Sequence, residues 1–460
     1  GDFDALLSRI AKKPWGGEHA QNFLKFFHLP EHFAPAPKRK DESSHFFSPA
    51  SSKNPIPIYS SFKQLKDYQF EVFSKAKKQL GPERSRFVIQ MPTGSGKTRT
   101  SMEIVANMLN KHDGHVIWLA HSEELCSQAY GCFCELWPHL GQKEVTAYKA
   151  WGKHEIPLLN SSQSAFIVAG LQKLHAAKKK QDLQHRLSSI KARNCLIIVD
   201  EAHKTEAPTY KQAIKTILGD RTRVIGLTAT PGRTEEIETK SLAEFYFNNV
   251  VNLPGGEFND VIQMLRERSV LSRVEYIAIK TDINIELTAA QKNRMAETLP
   301  LPKKIVEDMG RKTLRNIEII RRLEAECKNG KRILLFACSV EHSKLINSVL
   351  HYLGYQSGHI DGTTNSDRRR RLIEEFKDGG LQVLCNYGVL STGFDAPNTD
   401  VVFITRPTQS PVLYSQMIGR GLRGPDIGGT EFCRLIDVQD NIIGFGDADR
   451  VYNLFEDYWN

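Results

Sequence analysis

Residues 90–98 constrain the fold more than any other segment of this chain. The apolar residues 87–89 before them predict a buried strand, and residues 98–109 predict a helix that follows. A strand, a glycine-containing loop and a helix in this order predict a phosphate-binding loop, because backbone N–H groups and the helix N-terminus face a bound anion. Met91 stands where the pattern G-x-x-x-x-G-K-[ST] has its first glycine, so the match lacks that one residue.

The polar residues of this loop are the first predicted binding residues. Gly94 and Gly96 allow a tight turn that brings successive N–H groups close to phosphate oxygens. Lys97 is expected to reach the β and γ phosphates, and the Thr98 hydroxyl is expected to ligate Mg²⁺. With ATP and Mg²⁺ as cofactors, the predicted nucleotide-binding set in the loop is Thr93, Gly94, Ser95, Gly96, Lys97 and Thr98.

Composition narrows the class of protein. The 460 residues are enough for two or three domains, and a formal net charge of +9 is compatible with a polyanionic partner without requiring one. The eight cysteines include no C-x-x-C pair, which favours reduced thiols over a zinc site or a disulfide framework. Neither an 18-residue apolar run nor a basic-then-apolar leader occurs, so we expect a soluble, cytoplasmic protein without a membrane contact.

Residues 1–60 differ in composition from the rest of the chain. Short helical patterns at residues 4–12 and 20–27 precede a stretch rich in proline and serine, which predicts an extended linker. We therefore expect a small helical N-terminal module that this linker tethers to the main body. Its role stays open between a packing appendage and a surface for a protein partner or nucleic acid.

Residues 61–255 alternate apolar strands with amphipathic helices, which predicts a parallel sheet covered on both faces. Polar motifs are then expected at the carboxyl ends of the strands. Asp200 and Glu201 directly follow one predicted strand. Asp200 is expected to complete the Mg²⁺ shell, and Glu201 is expected to orient and deprotonate the attacking water. The predicted strands are residues 87–90, 116–120, 165–169, 195–199 and 224–227.

A second series of strands and helices begins at residue 332, after a predicted interdomain linker at residues 256–303. It predicts a second domain, residues 304–460, that repeats the architecture of the first without a phosphate loop. The predicted fold class is therefore α/β, with two tandem domains on parallel sheets. Within the second domain, strands are predicted at residues 332–336, 358–363 and 382–385, and a helix at residues 367–377.

The order and spacing of these motifs resemble those of superfamily 2 helicases and translocases of the DEAH-box type, over roughly residues 62–437. The resemblance implies two RecA-like domains that bind ATP between them. Gln69, whose amide can donate and accept at once, resembles the family's Q motif and is expected to read the adenine edge. The other matching segments are residues 94–98 (motif I), 119–125 (motif Ia), 170–174 (motif Ib), 200–203 (motif II), 228–230 (motif III), 391–395 (motif V) and 414–423 (motif VI).

The resemblance places catalytic residues on both domains. Charge accumulates on the γ-phosphoryl oxygens in the transition state, and Lys97 with Mg²⁺ leaves one side of them unneutralised. Arg420 and Arg423, three residues apart on a predicted helix, are expected to neutralise that side when the domains close. The predicted catalytic set is Lys97, Glu201, Gln416, Arg420 and Arg423, and Gly393 and Asp395 of motif V join the nucleotide-binding set.

Nucleic-acid contacts are expected to reach phosphates rather than bases, because small hydroxyls and N–H groups suit phosphates and read no sequence. In the family, motifs Ia and Ib touch the nucleic-acid backbone. The four arginines at residues 368–371 share a predicted helix with several acids, so we interpret the run mainly as an ion-paired, solvated face. The predicted nucleic-acid-binding residues are His121, Gln172, Asp361, Gly362, Thr363 and Thr392.

Together these features predict an ATP-dependent motor that moves along or remodels nucleic acid. DNA is favoured over RNA, because residues 200–203 and 416–423 most resemble the motifs of RadD-like repair helicases and of type I and type III restriction-enzyme motor subunits. The expected partner is therefore single-stranded DNA, in DNA repair or phage defence. Two alternatives stay open: an ATP-gated subunit that binds nucleic acid or a partner protein, and an RNA helicase.

Overall fold

The computed structural model describes residues 25, 44–47, 64–159, 163–178, 180–205, 208–229, 236–254, 258–281, 302–390, 398–407, 411–419 and 421–439. Within them the chain forms two sheets flanked by helices. The strands of the first sheet all precede residue 253, and those of the second all follow residue 272. This arrangement confirms the predicted α/β class with two tandem domains on parallel sheets.

The first sheet has eight described strands. They are β1 (Ser44–Phe47), β2 (Arg86–Gln90), β3 (His115–Ala120), β4 (Val145–Ala150), β5 (Ala165–Gly170), β6 (Asn194–Asp200), β7 (Arg223–Thr228) and β8 (Val250–Asn252). Their spatial order is β1-β4-β5-β3-β6-β7-β2-β8, and neighbouring strands are parallel except for β1 and β4. The central strands β3, β5 and β7 are buried along their whole length, which explains their continuous apolar runs.

Helices connect and cover these strands. They are α1 (Asp67–Gln79), α2 (Lys97–Lys111), α3 (Glu123–Leu140), α4 (Leu171–Lys178), α5 (Gln181–Ala192), α6 (Pro208–Ile217), α7 (Glu236–Phe245) and α8 (Phe258–Glu267). A short 3₁₀ helix, Ala202–Lys204, follows β6 directly. The strand, loop and helix predicted around residues 90–98 are therefore present as β2, its loop and α2.

The second sheet has six described strands, all parallel to their neighbours. They are β9 (Arg273–Lys280), β10 (Ile333–Phe336), β11 (Ser357–Ile360), β12 (Val383–Asn386), β13 (Val401–Ile404) and β14 (Phe432–Gln439), in the spatial order β11-β12-β10-β13-β14-β9. Its described helices are α9 (Lys303–Gly310), α10 (Thr313–Lys328), α11 (Val340–Tyr352), α12 (Ser366–Lys377) and α13 (Pro411–Ile418).

Residues beside two of the predicted domain boundaries form parts of the two domains. Residues 273–280, assigned to the interdomain linker, form β9, which pairs with β14 along its whole length at the edge of the second sheet. Residues 258–267 of the same predicted linker form α8, so the chain enters the second sheet through residues 268–272. In the predicted N-terminal module, Ser44–Phe47 pairs with β4 and so extends the first sheet. Apart from these four residues and Lys25, that module lies outside the described residues.

One apolar cluster joins the two domains. It contains Met91 at the phosphate loop and Leu271 from the connection between the sheets, together with Met417, Ile418 and Leu422 from the second domain. Removing such surface from water contributes about 25 cal/mol per Å². The two domains are therefore packed against each other at the phosphate loop by apolar contact.

None of the helices that the structure describes is both long enough and apolar enough to cross a membrane. The expected cytoplasmic location stays a prediction.

Gly226 provides a test of how the first sheet supports the residues after β6. A Cβ at Gly226 in β7 would lie 2.7 Å from Ala202 Cβ and 2.7 Å from Tyr246 Cζ. Gly226→Ala must push these groups apart, so we expect the free energy of unfolding to fall by about 1–3 kcal/mol. Chemical denaturation measures the change.

Gly131→Ala is the matched control, because Gly131 lies within α3 and no atom lies within 4 Å of the added Cβ. Alanine is the better helix former, so this substitution should be neutral or stabilise by up to about 1 kcal/mol. Equal losses from both substitutions would contradict the packing described for Gly226.

Candidate nucleotide site and nucleic-acid cleft

The phosphate loop turns through two glycines with left-handed backbone conformations. Gly94 has φ +87° and Gly96 has φ +88°, which other residues adopt only with strain. A Cβ at Gly96 would in addition overlap the amide nitrogen of Gln69. Helix α2 begins directly after this turn, so the N–H groups of its first turn lack intrahelical acceptors and are available to an anion.

Helix α1 holds the phosphate loop through two hydrogen bonds. The Tyr68 hydroxyl and Gln69 Nε2 both donate to the Ser95 carbonyl, at 3.0 and 3.1 Å. Gln69 Oε1 accepts from the Lys66 N–H at 3.0 Å. Burial raises the pKa of Tyr68 well above its usual value, so the hydroxyl stays protonated and can donate. The Gln69 amide therefore supports the loop from within the protein, and its contact with adenine stays a prediction.

The Lys97 ammonium lies against the carbonyl groups of its own loop. Nζ donates to Met91 O at 3.0 Å and to Pro92 O at 3.4 Å. Ser95 Oγ donates to the same Pro92 carbonyl at 2.7 Å, and the Met91 N–H donates to Thr228 O at 3.0 Å. The loop is thereby fixed to the carboxyl end of β7, with the positive charge of Lys97 held at that edge of the sheet.

Two carboxylates follow β6 at the same edge. Asp200 is buried, and its Oδ1 accepts from the Glu201 N–H at 3.0 Å. Burial, and then the charge of Glu201, raise the pKa of Asp200, while the charge of Lys97 opposes the shift. Glu201 has φ +53°, an unusual left-handed conformation for a residue with a side chain. Strain of this kind persists where the surrounding structure enforces it, and it is frequent at functional sites.

His203 connects this edge of the sheet to the second domain. Its Nδ1 lies 3.5 Å from Glu201 Oε2 and 3.2 Å from Thr228 Oγ1. Its Nε2 lies 3.3 Å from the amide nitrogen of Gln416 in α13. With the amide in this orientation Gln416 donates, so Nε2 of the imidazole accepts and Nδ1 carries the proton. The buried ring thus joins Glu201, the predicted base, to a predicted catalytic residue of the other domain.

Thr98 and Asp200 are the chain's candidate ligands for Mg²⁺. A hydroxyl and a carboxylate are hard oxygen donors of the kind that Mg²⁺ prefers. The described part of the chain contains no group of three or more His, Cys, Asp or Glu side chains that could hold a metal ion. A sparse set of oxygen donors fits an ion that takes its remaining ligands from phosphate and water, and it does not fit a structural zinc ion.

The second domain packs directly on the phosphate loop. A Cβ at Gly94 would lie 3.6 Å from Leu422 O and 3.7 Å from Arg423 Cγ. A Cβ at Gly419 would lie 2.5 Å from Thr93. The structure therefore brings Arg423, one of the two predicted arginines, next to the loop on the other domain. The prediction that Arg423 lies on a helix is wrong, because α13 ends at Ile418 and Arg423 bridges to Leu271.

A cavity of about 690 Å³ lies at the carboxyl ends of β3 and β5. His121 and Gln172, two of the predicted nucleic-acid-binding residues, both line it. Lys173 lines the same cavity from the first domain, and Arg369 lines it from the second. We call this cavity the interdomain cleft.

An ion pair between the domains borders the interdomain cleft. Arg369 Nη1 donates to Glu124 Oε1 at 2.6 Å, and the two side chains are 18% and 29% exposed. Arg369 Nη2 donates to two carbonyl groups of the loop before α12, each at 3.2 Å. The interpretation of the arginine run as a solvated face is therefore wrong for Arg369, because its partner is a partly buried acid on the other domain. Arg370 pairs with Asp367 on its own helix, as that interpretation predicts.

His121 is held in the cleft as a neutral ring. Its Nε2 lies 2.8 Å from Lys204 Nζ, and an ammonium group only donates, so this nitrogen accepts. Burial, and then the charge of Lys204, lower the pKa of His121 to about 4 against the opposing charges of Glu201 and Glu124. At neutral pH the ring therefore offers hydrogen bonding without a positive charge.

The strand predicted at residues 358–363 ends at Ile360, and the predicted nucleic-acid-binding residues after it form a turn that Asp361 holds together. Its buried Oδ1 accepts from the N–H and the hydroxyl of Thr363, both at 2.7 Å, and Oδ2 lies 3.1 Å from His359 Nε2. Burial alone would raise the pKa of Asp361, but the hydrogen bonds from Thr363 and His359 outweigh it and hold the pKa far below its usual range. Asp361 thus shapes the turn, whereas Gly362 and Thr363 are exposed and accessible to a ligand.

Four predicted site residues lie outside the described residues, and their roles stay predictions: Thr392, Gly393, Asp395 and Arg420. The sequence patterns also missed the contacts of Glu124 and Arg369. Glu124 follows β3 closely, as Asp200 ends β6, so the search for polar residues after parallel strands could have found it. No local pattern identifies Arg369, because its partner is distant in the sequence.

Two family models match the chain. The model described as "Type III restriction enzyme, res subunit" matches residues 62–233, and the "Helicase conserved C-terminal domain" model matches residues 315–424. These ranges contain the phosphate loop with β6 on one side, and α12 with Arg423 on the other. The matches therefore coincide with the two domains that form the site.

Curated relatives are similar over most of the chain. A Saccharomyces cerevisiae protein named as ATP-dependent helicase IRC3 is 25% identical over 81% of this chain and 51% of its own length. A Schizosaccharomyces pombe protein, named as mitochondrial ATP-dependent helicase irc3, is 28% identical over 82% of this chain and 58% of its own. A 51.5 kDa protein of Lactococcus phage (isolate 7-9) is 27% identical over 73% and 62%. The chain thus spans only 51–62% of the length of these relatives.

Solved structures share the fold. A fragment assigned as the HsdR subunit of a type I restriction enzyme from Vibrio vulnificus YJ016 has a TM-score of 0.57 at 17% identity, over 81% of this chain and 63% of that one. Saccharomyces cerevisiae Dbp5 bound to RNA and ADP BeF3 has a TM-score of 0.50 at 16% identity, over 86% and 92%. At these identities the similarity concerns the arrangement of the two domains alone.

The Glu124–Arg369 pair provides a test of the contact between the domains. We expect Glu124→Gln and Arg369→Gln each to lower the midpoint of chemical denaturation. The double variant should lose less than the sum, with a coupling of about 0.5–1 kcal/mol, because either change alone already removes the ion pair. Arg369→Gln also removes the hydrogen bonds of Arg369 to two backbone carbonyls. This loss is the same with Glu124 or Gln at position 124, so it does not contribute to the coupling energy.

The exposed Asp367–Arg370 pair within α12 is the control, and its coupling should stay below about 0.5 kcal/mol. Additive effects of the Glu124 and Arg369 substitutions would show that the two side chains act independently, contrary to the contact described.

Proposed function

We propose that this chain, which belongs to the superfamily 2 helicases and matches the family model of the type III restriction enzyme res subunit, hydrolyses ATP between its two domains. We propose further that domain movement during this cycle drives translocation along DNA or its remodelling. The observation that carries the proposal is the packing of Arg423 of the second domain beside Gly94 of the phosphate loop. Phosphoryl transfer needs positive charge on more than one side of the γ-phosphate, and Arg423 would supply it from the second domain.

Hydrolysis would use residues at the carboxyl edge of the first sheet. Lys97 and the loop N–H groups bind the phosphates, while Thr98 and Asp200 hold Mg²⁺, which neutralises phosphate charge when bound. Glu201 orients and deprotonates the attacking water, and the His203 ring near its carboxylate helps to fix its position. Gln416 bonds to His203 from the second domain, so the geometry of Glu201 depends on how the domains are packed.

Nucleic acid would bind in the interdomain cleft. Its lining supplies the amide of Gln172, the ammonium of Lys173 and the neutral ring of His121. Gly362 and Thr363 add exposed backbone and hydroxyl groups from the second domain. Such groups suit a phosphate backbone and carry little sequence information. A ligand that contacts both sides of the cleft would favour domain closure and so couple its own binding to hydrolysis.

DNA is the proposed polymer because the family model over residues 62–233 is that of a restriction-enzyme subunit. DNA repair and phage defence are the proposed settings. An RNA helicase is the second candidate, favoured by the similarity of the fold to Dbp5 bound to RNA and by a relative named as the ATP-dependent RNA helicase DBP3. A third candidate is an ATP-gated subunit that works through a protein partner, consistent with the greater length of the curated relatives.

Steady-state ATP hydrolysis decides between these candidates. It should be measured without polymer and with single-stranded DNA, duplex DNA, forked DNA and single-stranded RNA, each at two salt concentrations. We expect stimulation by DNA that weakens at the higher salt concentration, because phosphate contacts release counterions. Stimulation by RNA alone would establish the second candidate, and equal turnover with every polymer would favour a protein partner.

Glu201→Gln tests the proposed base. The amide keeps the size of the side chain but cannot accept the proton, so hydrolysis should fall by about 10²–10⁴-fold while ATP and DNA binding persist. Single-turnover hydrolysis and nucleotide affinity measure the two effects separately.

Glu135→Gln is the control, because Glu135 is an exposed carboxylate of α3 in the same domain. It should hydrolyse ATP at the wild-type rate. Near-normal hydrolysis by Glu201→Gln would remove Glu201 from the mechanism.

A further inference from the structure

The connection between the two sheets runs beside Arg423. Residues 268–272 lead from α8 into β9, the edge strand of the second sheet. Within this connection, Ser269 has φ +54°, and Leu271 forms an isolated antiparallel bridge with Arg423. Leu271 also reaches the phosphate loop, because a Cβ at Gly94 would lie 3.3 Å from Leu271 Cδ2. The connection therefore contacts both halves of the proposed hydrolytic site.

Residues 423–430 form a turn that is anchored on this connection. We call it the arginine turn, since Arg423 begins it. The Gly424 N–H donates to Val270 O at 2.9 Å, and the Asp426 N–H donates to Ser269 O at 3.1 Å. Gly424 must be glycine for this approach, because a Cβ there would overlap the Ser269 carbonyl. Asp426 in addition forms an ion pair with Lys66, which immediately precedes α1 on the first domain.

Ser272 is the side chain that holds both ends of the arginine turn. It is completely buried, and its Oγ lies 2.6 Å from Arg423 O and 2.6 Å from Thr430 O. The Ser272 N–H donates to Leu422 O at 3.2 Å, and the Thr430 N–H closes the turn on Arg423 O at 2.9 Å. A serine hydroxyl has one proton, so the two carbonyls share a single donor. Alanine at this position would leave both without that donor.

We propose that Ser272 is a positioning residue for ATP hydrolysis, whose hydroxyl fixes the backbone of Arg423 so that the arginine side chain stays beside Gly94 of the phosphate loop. Ser272 reaches neither the nucleotide site nor the cleft itself; it acts through Arg423. The role rests on the proposed function, because it requires that Arg423 neutralise charge in the transition state. Ser272 directly precedes β9, an edge strand of the second sheet. Movement of the second domain is therefore transmitted to Arg423 through Ser272.

A double-mutant cycle with Ser272→Ala and Arg423→Ala tests the proposal on the full chain. At saturating ATP and DNA, Ser272→Ala should lower turnover roughly 3- to 10-fold, the effect of one hydrogen bond on the transition state. The KM for ATP should change little, because the phosphate loop itself is intact. In the Arg423→Ala background, Ser272→Ala should cause no further loss, because there is no guanidinium left to position.

Ligand binding gives a second readout that does not depend on turnover. Ser272→Ala should weaken the binding of ADP with aluminium fluoride, which imitates the transferring phosphoryl group, by a similar factor. The affinity for ADP alone should stay unchanged. A purely structural role would instead lower both affinities together with the melting temperature, and that result would overturn the proposal.

Ser357→Ala is the matched control. Ser357 is a buried serine of β11, at the opposite edge of the same sheet, and its Oγ donates to Asn347 O at 3.3 Å. The Ser357→Ala variant should hydrolyse ATP at the wild-type rate.

If Ser272→Ala does not fold, Ser272→Cys replaces the hydroxyl with a thiol, which is a weaker hydrogen-bond donor. It should show the same loss of turnover and the same dependence on Arg423.

Turnover of Ser272→Ala within twofold of wild type, or a full multiplicative loss in the double variant, would also overturn the proposal. Failure of the proposed function gives a different result: the wild-type chain would not hydrolyse ATP with any polymer. In that case the comparison of ADP with and without aluminium fluoride still decides whether Ser272 positions Arg423.

Discussion

Apolar packing between the domains at the phosphate loop is the interaction on which the rest of the site depends. The loop turns through Gly94, beside which Leu422 and Arg423 of the second domain pack. Gly419 permits a closer approach, because a Cβ there would lie 2.5 Å from Thr93. Glycine at this position has a cost in chain entropy, and the contact it permits offsets that cost. The candidate nucleotide site thus has residues of both domains beside it.

Polar contacts within the first domain and across the boundary between the domains accompany this packing. Asp200 is kept at the sheet edge against the cost of burial by the nearby Lys97 charge and the Glu201 N–H. His203 bonds toward Gln416, and Glu124 pairs with Arg369, so two further polar contacts form only when the domains meet. A buried polar group that loses its partner is destabilised. Opening the domains therefore changes the energies of the catalytic edge and of the cleft together.

The sequence predicted the strands, helices and loops that follow from local periodicity and from the spacing of motifs. Buried strands such as β3 and β6 were predicted correctly because parallel strands covered on both faces are continuous apolar runs. The loop before Lys97 was predicted because its glycines follow such a strand. The sequence could not predict side-chain partners that are brought together only by tertiary packing. Arg369 bonds to Glu124 of the other domain, and Gln69 bonds to Ser95. Strand β9 was assigned to a linker because its pairing with β14 joins segments far apart in the chain.

In the proposed function, nucleotide and nucleic acid act by changing how the two domains pack. The most direct measurement is single-molecule energy transfer between dyes at two exposed sites, Lys111 on the first domain and Tyr352 on the second. We predict one compact population with ATP and single-stranded DNA together, and a more separated population after hydrolysis to ADP. The same distance distribution in every nucleotide and DNA state, in a chain that hydrolyses ATP, would contradict the account.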